Sequence, residues 1–105
     1  NLDNFIDKKR NLADMYGKFF KDVDCKFVKE PVESSSNYWL NSIIFNDKQQ
    51  RNVFLNESNS QGVMTRPIWT LMNKLPMLKD AQCGDLTNSE WLEDRVVNIP
   101  SSVML

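Results

Sequence analysis

Three side chains in one proline-bounded stretch are the best candidates for a binding site. Arg66, Trp69 and Asn73 lie between Gly62 and Met77, a stretch that holds two of the four prolines. A guanidinium fork suits a carboxylate or phosphate, an indole can pack on a sugar or base, and an amide both donates and accepts hydrogen bonds. The plainer alternative is a loop that closes over the core, with Trp69 buried and Arg66 in a structural ion pair.

The residue types that are missing narrow the chemistry. The chain has no histidine, so a self-contained hydrolase of the Ser-His-Asp or Cys-His kind is excluded. Cys25 and Cys83 are far apart in sequence, and zinc would need an unusual ligand set here, so we expect two reduced thiols and no metal site. The glycosylation sequon at Asn56 falls inside a predicted helix, and we expect it to be unused.

Length and charge indicate the class of protein. The 105 residues predict a single domain, residues 1–105, and 41% hydrophobic residues are enough for a core. The net charge of -1 gives no electrostatic footprint for nucleic acid or an anionic membrane. Because Asn1 leads directly into an amphipathic helix, with no signal-peptide pattern, we expect a cytoplasmic protein. The chain starts without methionine and stops soon after a strand-like segment, so we expect a piece of a longer protein.

The first half of the chain predicts one helix and two strands. Apolar residues recur at spacings of three and four from residue 2 to residue 20, with Asn1 as the cap and the cations on a solvated face. Cys25 to Val28 reads as a short strand. Tyr38 to Phe45 is apolar on both faces, which predicts a central strand with Tyr38 and Trp39 in the core.

The second half alternates helices and strands. Asp47 opens a helix that stops near Gly62, and a strand over residues 63–65 is expected to end at Pro67. Thr87 caps a short helix, and a strand over residues 96–99 ends at Pro100. This order predicts an α+β fold: a small, mostly antiparallel sheet of three to four strands flanked by helices.

Four segments, taken in order, resemble one enzyme family. They are Asn37–Asn41, Thr65–Met77, Leu86–Arg95 and Asn98–Ser102. Together they are similar to the C-terminal small domain of the DegT/DnrJ/EryC1/StrS sugar-nucleotide aminotransferases, which are fold-type I enzymes that use pyridoxal phosphate (PLP). The resemblance covers nearly the whole chain. It is strongest for the branch that acts on nucleotide-linked 4-keto-6-deoxy sugars, as in legionaminic acid or bacillosamine synthesis.

The resemblance implies a function for a larger protein. In such enzymes PLP is held on a lysine of the large domain and carries an amino group from an amino acid, usually glutamate, to the keto sugar. The small domain covers the active site and shapes the sugar pocket, and the whole enzyme is a homodimer. Neither Lys74 nor Lys79 stands in the context of that lysine. The chain by itself is therefore expected to have no catalytic residue, no cofactor-binding residue and no activity.

One position departs from the family pattern. Many members of the branch have a histidine, which resembles a substrate-contacting residue, where this chain has Asn73. Asparagine can orient a sugar but cannot titrate. The resemblance thus assigns Arg66, Trp69 and Asn73 to substrate binding and assigns no residue here to acid-base catalysis.

Two other functions remain open from the sequence. A stand-alone ligand-binding module would use the same loop as its pocket and would bind a nucleotide sugar by itself. A protein-interaction domain would expose residues 68–77 as an apolar patch and would bind no small ligand. A nucleic-acid-binding domain is the weakest alternative because of the charge.

Overall fold

The computed structural model describes residues 1–103, which contain four short strands and three α-helices. The helices and strands are α1 (Leu2–Phe20), β1 (Lys26–Phe27), β2 (Asn41–Ile44), α2 (Lys48–Ser60), β3 (Arg66–Pro67), α3 (Thr87–Arg95) and β4 (Val96–Ile99), with single 3-10 turns at Met72–Lys74 and Pro76–Leu78. The strands form one antiparallel sheet in the order β1-β2-β4-β3. The predicted α+β class is confirmed. Met104 and Leu105, at the chain end discussed above, lie outside the described residues.

The core lies on one face of the sheet, around its two central strands. Ile43 of β2 stands directly opposite Val97 of β4, and both side chains are 0% exposed. Phe27 of β1 pairs with Ile43, and Ala13 of α1 closes over them. Each fully buried branched side chain contributes about 1.5–3 kcal/mol by leaving water, so this small group holds the sheet and α1 together.

Helix α1 begins as predicted but buries only part of its apolar stripe. The Asn1 side chain accepts a hydrogen bond from Asn4 N at 3.3 Å, which confirms the cap. Tyr16 and Phe20 pack on the core, but Leu2 is 71% exposed. The apolar side chains at the N-terminal end of the helix are therefore left largely exposed by residues 1–103.

Two cations of α1 are bonded to distant parts of the chain and are only partly exposed, whereas the sequence predicted a solvated face. Lys9 Nζ donates to the carbonyl oxygens of Trp39 at 3.2 Å and Ser101 at 2.8 Å. Arg10 makes a two-pronged ion pair with Glu30, at 3.0 and 2.9 Å, and also donates to Ser36 O at 2.6 Å. These bonds tie α1 to the loop before β2 and to the end of β4. Sequence periodicity cannot reveal them, because the partners are far away in the chain.

The Arg10–Glu30 pair predicts an acid-dependent loss of stability. The Arg10 guanidinium, and then the Ser36 N–H, lower the pKa of Glu30 from 4.5 to about 2. A carboxyl whose pKa falls on folding stabilises the fold fully above its unfolded pKa and loses that effect as the pH drops toward the folded value. Glu30→Gln should lower the melting temperature at pH 7, and this difference should shrink between pH 4.5 and about 2.

A matched control for this pair is available on α2. The Glu57 side chain is exposed and makes no ion pair among residues 1–103, so Glu57→Gln should change the melting temperature little at any pH. A Glu30→Gln effect that stays constant with pH would contradict the ionic origin of the stabilisation.

Strand β2 is shorter than predicted because the chain turns sharply before it. Tyr38 has φ of +47°, a left-handed conformation that is unfavourable for an aromatic residue. Its hydroxyl accepts from Glu30 N at 3.0 Å, and its own N–H donates to Ser36 Oγ at 3.0 Å, which hold the turn in place. The prediction of a strand from Tyr38, with Trp39 in the core, is wrong. The central position of β2 in the sheet is correct.

Strand β3 lies later than the sequence indicated, and Pro67 belongs to it. Pro67 pairs with Val97, and Ile68 N donates to Val96 O at 3.2 Å. Because alternate N–H groups point in opposite directions, the Pro67 nitrogen faces the open edge of the sheet, where no donor is needed. The predicted helix stop at Gly62 is correct: its φ is +83°, and Val63 N donates to Ser58 O at 2.9 Å.

The caps of the later helices agree only partly with the sequence. Asp47 caps α2 by accepting from Gln50 N at 2.8 Å, as predicted. At α3, Thr87 is the first helical residue and not the cap, since its N–H and hydroxyl both donate to Asp85. No helix within residues 1–103 combines the length and apolarity that crossing a bilayer demands.

Candidate functional site

Several segments that are distant in sequence meet at one open cavity beside the edge strand, which we call the tryptophan groove. Its volume is about 440 Å³. It lies against β3 and the end of β4, and the N-terminal half of α1 contributes one side chain. The lining residues are Lys9, Trp39, Leu40, Met64, Arg66, Pro67, Trp69, Asn98, Ile99, Pro100, Ser101 and Ser102.

Two indoles form the apolar part of the groove. Trp39 and Trp69 are 64% and 68% exposed, and their ring centroids are 6.3 Å apart at an interplanar angle of 35°. Large exposed aromatic rings that face a shared cavity are typical of surfaces that bind the face of a sugar or a base. The plainer interpretation of Trp69 as a core residue does not agree with this exposure. The left-handed turn at Tyr38 explains why Trp39 leaves the sheet and reaches the groove.

Arg66 stands on β3 beside these rings and is exposed. Its Nη1 donates to Asn59 Oδ1 at 2.9 Å and to Thr65 O at 2.7 Å. Thr65 is itself fixed, since it is 1% exposed and its hydroxyl bonds Ser58 Oγ at 2.6 Å. Among residues 1–103, Arg66 has no carboxylate partner. A fixed guanidinium with unused donors can bind an anion through its remaining N–H groups.

The charge of the groove is positive. Lys9 and Arg66 are its two cations, and none of its described lining residues is acidic. Lys9 already donates to two carbonyl oxygens, so its main role is to hold the chain together, and its positive charge lies at the groove. Arg66 remains the group that can contact an anion directly.

Asn73 does not lie in the tryptophan groove. It belongs to the 3-10 turn Met72–Lys74 and lines a separate cavity of about 310 Å³, together with Leu71, Met72, Leu78, Ala81, Gln82, Cys83 and Leu86. The structure thus brings Arg66 and Trp69 together in one cavity and places Asn73 in another. A role for Asn73 in substrate binding remains a prediction.

Sequence reasoning missed two residues of the groove. The apolar run from Tyr38 contains no signal for a turn, so its pattern predicts Trp39 in the core. The helical pattern predicts a solvated face for Lys9, because only its distant partners show its position. The segment Asn37–Asn41 had been singled out through its resemblance to a family, and that resemblance was the available signal for Trp39.

Comparison with known proteins gives one family and one fold. The sequence model of the DegT/DnrJ/EryC1/StrS aminotransferase family matches residues 1–105. A curated relative, GDP-perosamine synthase of Escherichia coli O157:H7, is 28% identical over 99 residues. That match covers 94% of this chain and 27% of the relative. The chain therefore spans about a quarter of the length of the curated relative that it matches.

Solved structures share the fold. The sugar aminotransferase CalS13 from Micromonospora echinospora matches with a TM-score of 0.83 at 20% identity, over 98% of this chain and 27% of that one. The E. coli GDP-4-keto-6-deoxy-D-mannose-3-dehydratase, solved with bound hydrated PLP, matches with a TM-score of 0.79 at 23% identity, over 95% and 27% of the two chains. At these identities the structures establish the fold and not the reaction.

Proposed function

Because the chain belongs to the DegT/DnrJ/EryC1/StrS aminotransferase family, we propose that it is the C-terminal part of a PLP-dependent sugar aminotransferase. In this proposal the whole enzyme transfers an amino group from glutamate to a nucleotide-linked 4-keto-6-deoxy sugar. The part described here covers the active site and forms one wall of the sugar-nucleotide pocket. The name of the curated relative, a GDP-perosamine synthase, supports a nucleotide sugar as substrate.

One observation carries this proposal: three of the four segments that resemble the family meet at the tryptophan groove. Trp39 and Leu40 come from the first segment, Arg66, Pro67 and Trp69 from the second, and residues 98–102 from the last. A merely structural resemblance would not need to converge on one exposed cavity. Two indoles beside a guanidinium match the two parts of a nucleotide sugar, which combines flat or ring-shaped faces with a diphosphate.

The residues that line the tryptophan groove do not fit PLP itself. PLP needs an unengaged lysine amine and an acidic partner for its pyridinium nitrogen. The groove has one lysine, Lys9, whose amine is bonded to two carbonyl oxygens, and its described lining has no carboxylate. We therefore assign the cofactor to the remainder of the enzyme. The residues described here bind and orient the sugar nucleotide and exclude water from it.

The whole protein is proposed to be a cytoplasmic homodimer. Its relatives are about four times longer than this chain, since the match spans only 27% of the curated relative. The exposed apolar side chains Leu2 and Phe5 at the start of α1 support burial against another part of the assembly.

The proposal is tested first on the protein from its natural source. We expect a mass several times that of this chain and a yellow absorbance that borohydride bleaches. A colourless native protein with the mass of this chain would overturn the enzyme assignment.

Arg66→Ala and Asn73→Ala in the intact enzyme test the residue assignments. Losing a charge-assisted hydrogen bond costs about 1.5–3 kcal/mol, so Arg66→Ala should raise the KM for the nucleotide sugar about tenfold or more. Asn73→Ala should change turnover or KM more modestly, because it removes one neutral partner. Steady-state kinetics with both substrates measure these effects.

Lys48→Ala controls for the loss of a cation elsewhere, since Lys48 pairs with Asp94 on the exposed surface and lies outside the groove. If turnover and sugar affinity stay unchanged in both Arg66→Ala and Asn73→Ala, the assignment of this loop to the substrate site is wrong.

A second candidate is a protein-interaction surface on the same loop. Met72 and Met77 are 68% and 76% exposed, and exposed methionines suit adaptable binding surfaces. This function predicts partner binding or self-association of the chain, with no binding of a nucleotide sugar. Titration calorimetry against nucleotide sugars and sedimentation over a range of protein concentrations separate the two functions.

A further inference from the structure

The loop that carries Trp69 is attached at both ends to one junction of helix and strand. At one end Ile68 N donates to Val96 O at 3.2 Å, and at the other Leu71 N donates to Glu93 Oε2 at 2.8 Å. Glu93 lies in the last turn of α3, which runs directly into β4 at Val96. Only Trp69 and Thr70 lie between the two attachment points, so the position of the indole depends on both.

The junction itself is held by its neighbours. Arg51 of α2 donates to Glu93 O at 2.7 Å. Phe45 N donates to Arg95 O at 2.9 Å, and Arg95 Nε donates to Asn46 O at 3.2 Å, which tie the junction to the end of β2. Because these bonds reach the central strands, the attachment points cannot shift without disturbing the sheet.

The Glu93 carboxylate is well placed to hold the loop that carries Trp69. Its side chain is only 14% exposed. One carboxylate oxygen accepts from Leu71 N, and the other forms an ion pair with Lys74, so both ends of the 3-10 turn region are bonded to the same group. A carboxylate that accepts a backbone N–H and an ammonium together is a strong anchor.

From this geometry we propose that Glu93 is a positioning residue, whose carboxylate holds Trp69 at the wall of the tryptophan groove and thereby sets the affinity for the nucleotide sugar. The affinity part rests on the proposed function, whereas the positioning of the indole does not. Glu93 lies in a segment chosen from sequence as a helix, and nothing in its helical pattern indicates a contact with the loop.

The lowered pKa of Glu93 agrees with a carboxylate that stays charged and bonded to the loop. Lys74, and then the Leu71 N–H, lower the pKa of Glu93 below its ordinary value. The carboxyl therefore stays ionised through the neutral range, and the anchor is weakened only as the pH falls toward that lowered pKa.

The experiment uses the full-length protein labelled with 5-fluorotryptophan, with the Trp69 resonance assigned through Trp69→Phe. Glu93→Ala removes both contacts and should shift or broaden that resonance. Glu93→Gln keeps an oxygen that can accept from Leu71 N, so its Trp69 resonance should stay close to that of the wild type. Lys74→Met removes only the ion pair and should have a smaller effect. Asp94→Asn is the control, because Asp94 is the neighbouring carboxylate and pairs with Lys48 of α2, away from the loop.

Binding of GDP-mannose and UDP-N-acetylglucosamine as probes is then measured by calorimetry on the same variants. We expect Glu93→Ala to weaken binding of whichever probe the wild type binds about tenfold, with Glu93→Gln close to the wild type. An unmoved Trp69 resonance in Glu93→Ala would overturn the positioning role. A moved resonance with unchanged affinity would overturn its role in binding. If the Trp69 resonance moves in Glu93→Ala but the wild-type protein binds neither probe, the positioning of Trp69 is upheld. That result counts against the proposed function instead.

Discussion

Removing either indole of the tryptophan groove is expected to weaken binding of the nucleotide sugar about tenfold in the intact enzyme. Stacking of a base on an aromatic side chain is worth about 1–3 kcal/mol, and about 1.4 kcal/mol corresponds to tenfold in affinity. Trp39→Ala and Trp69→Ala should each raise the dissociation constant about tenfold, because both rings are largely exposed and line the groove. Calorimetric titration with the nucleotide sugar measures the dissociation constant.

The third tryptophan supplies the control. Trp91 lies on α3, outside the groove, with the Arg95 guanidinium 4.4 Å from its ring centroid. Trp91→Ala should leave the dissociation constant within about twofold, whatever it does to stability. Because the rings of Trp39 and Trp69 are 6.3 Å apart, the double variant should lose less than the sum of the single losses. Equal losses in all three single variants would show that the effect is not local to the groove.

Local signals explain why much of the fold could be predicted. The Asn1 cap, the Asp47 cap and the stop at Gly62 are each made by residues within a few positions of one another. Strand β4 is apolar and ends at a proline, so its bounds agree with the prediction. A chain of this size and order of elements leaves few other folds than an antiparallel sheet with helices packed on it.

The site could be predicted less well because long-range contacts build it. The left-handed turn at Tyr38 depends on bonds to Glu30 and Ser36, and it reverses the expected direction of Trp39. Lys9 is placed by a carbonyl 92 positions away. Arg66 and Trp69 were found because their residue types suit a ligand. Asn73, four residues beyond Trp69, belongs to a 3-10 turn and lines another cavity.

A buried hydroxyl at the end of β4 connects the groove to the core. Ser101 Oγ accepts from Asn41 N at 2.8 Å and from Asn41 Nδ2 at 3.2 Å, and it donates to Ile99 O at 2.8 Å. The Ser101 carbonyl in turn accepts from Lys9. Ser101 and Asn41 are 8% and 1% exposed, so water cannot easily replace these bonds. The Asn41 Oδ1 atom has no hydrogen-bond partner among the described residues.

Ser101→Ala should therefore be one of the most destabilising single substitutions in the chain. Each buried donor left without an acceptor costs about 1–3 kcal/mol, and this change leaves two, so we expect a loss of about 2–6 kcal/mol in the free energy of unfolding. Urea unfolding measures it, with the exposed neighbour Ser102→Ala as a control expected to stay within about 0.5 kcal/mol.

Adding Asn41→Leu to Ser101→Ala separates lost hydrogen bonds from lost packing. The double variant removes the side-chain donor together with its acceptor, so of the two donors only the Asn41 backbone N–H remains without the Ser101 hydroxyl. If the cost lies in unpaired polar groups, the double variant should be less destabilised than the sum of its two single variants. Strict additivity would instead assign the cost to independent changes of packing at the two positions, and the hydroxyl would then serve as packing and not as the bond that joins β2 to the end of β4.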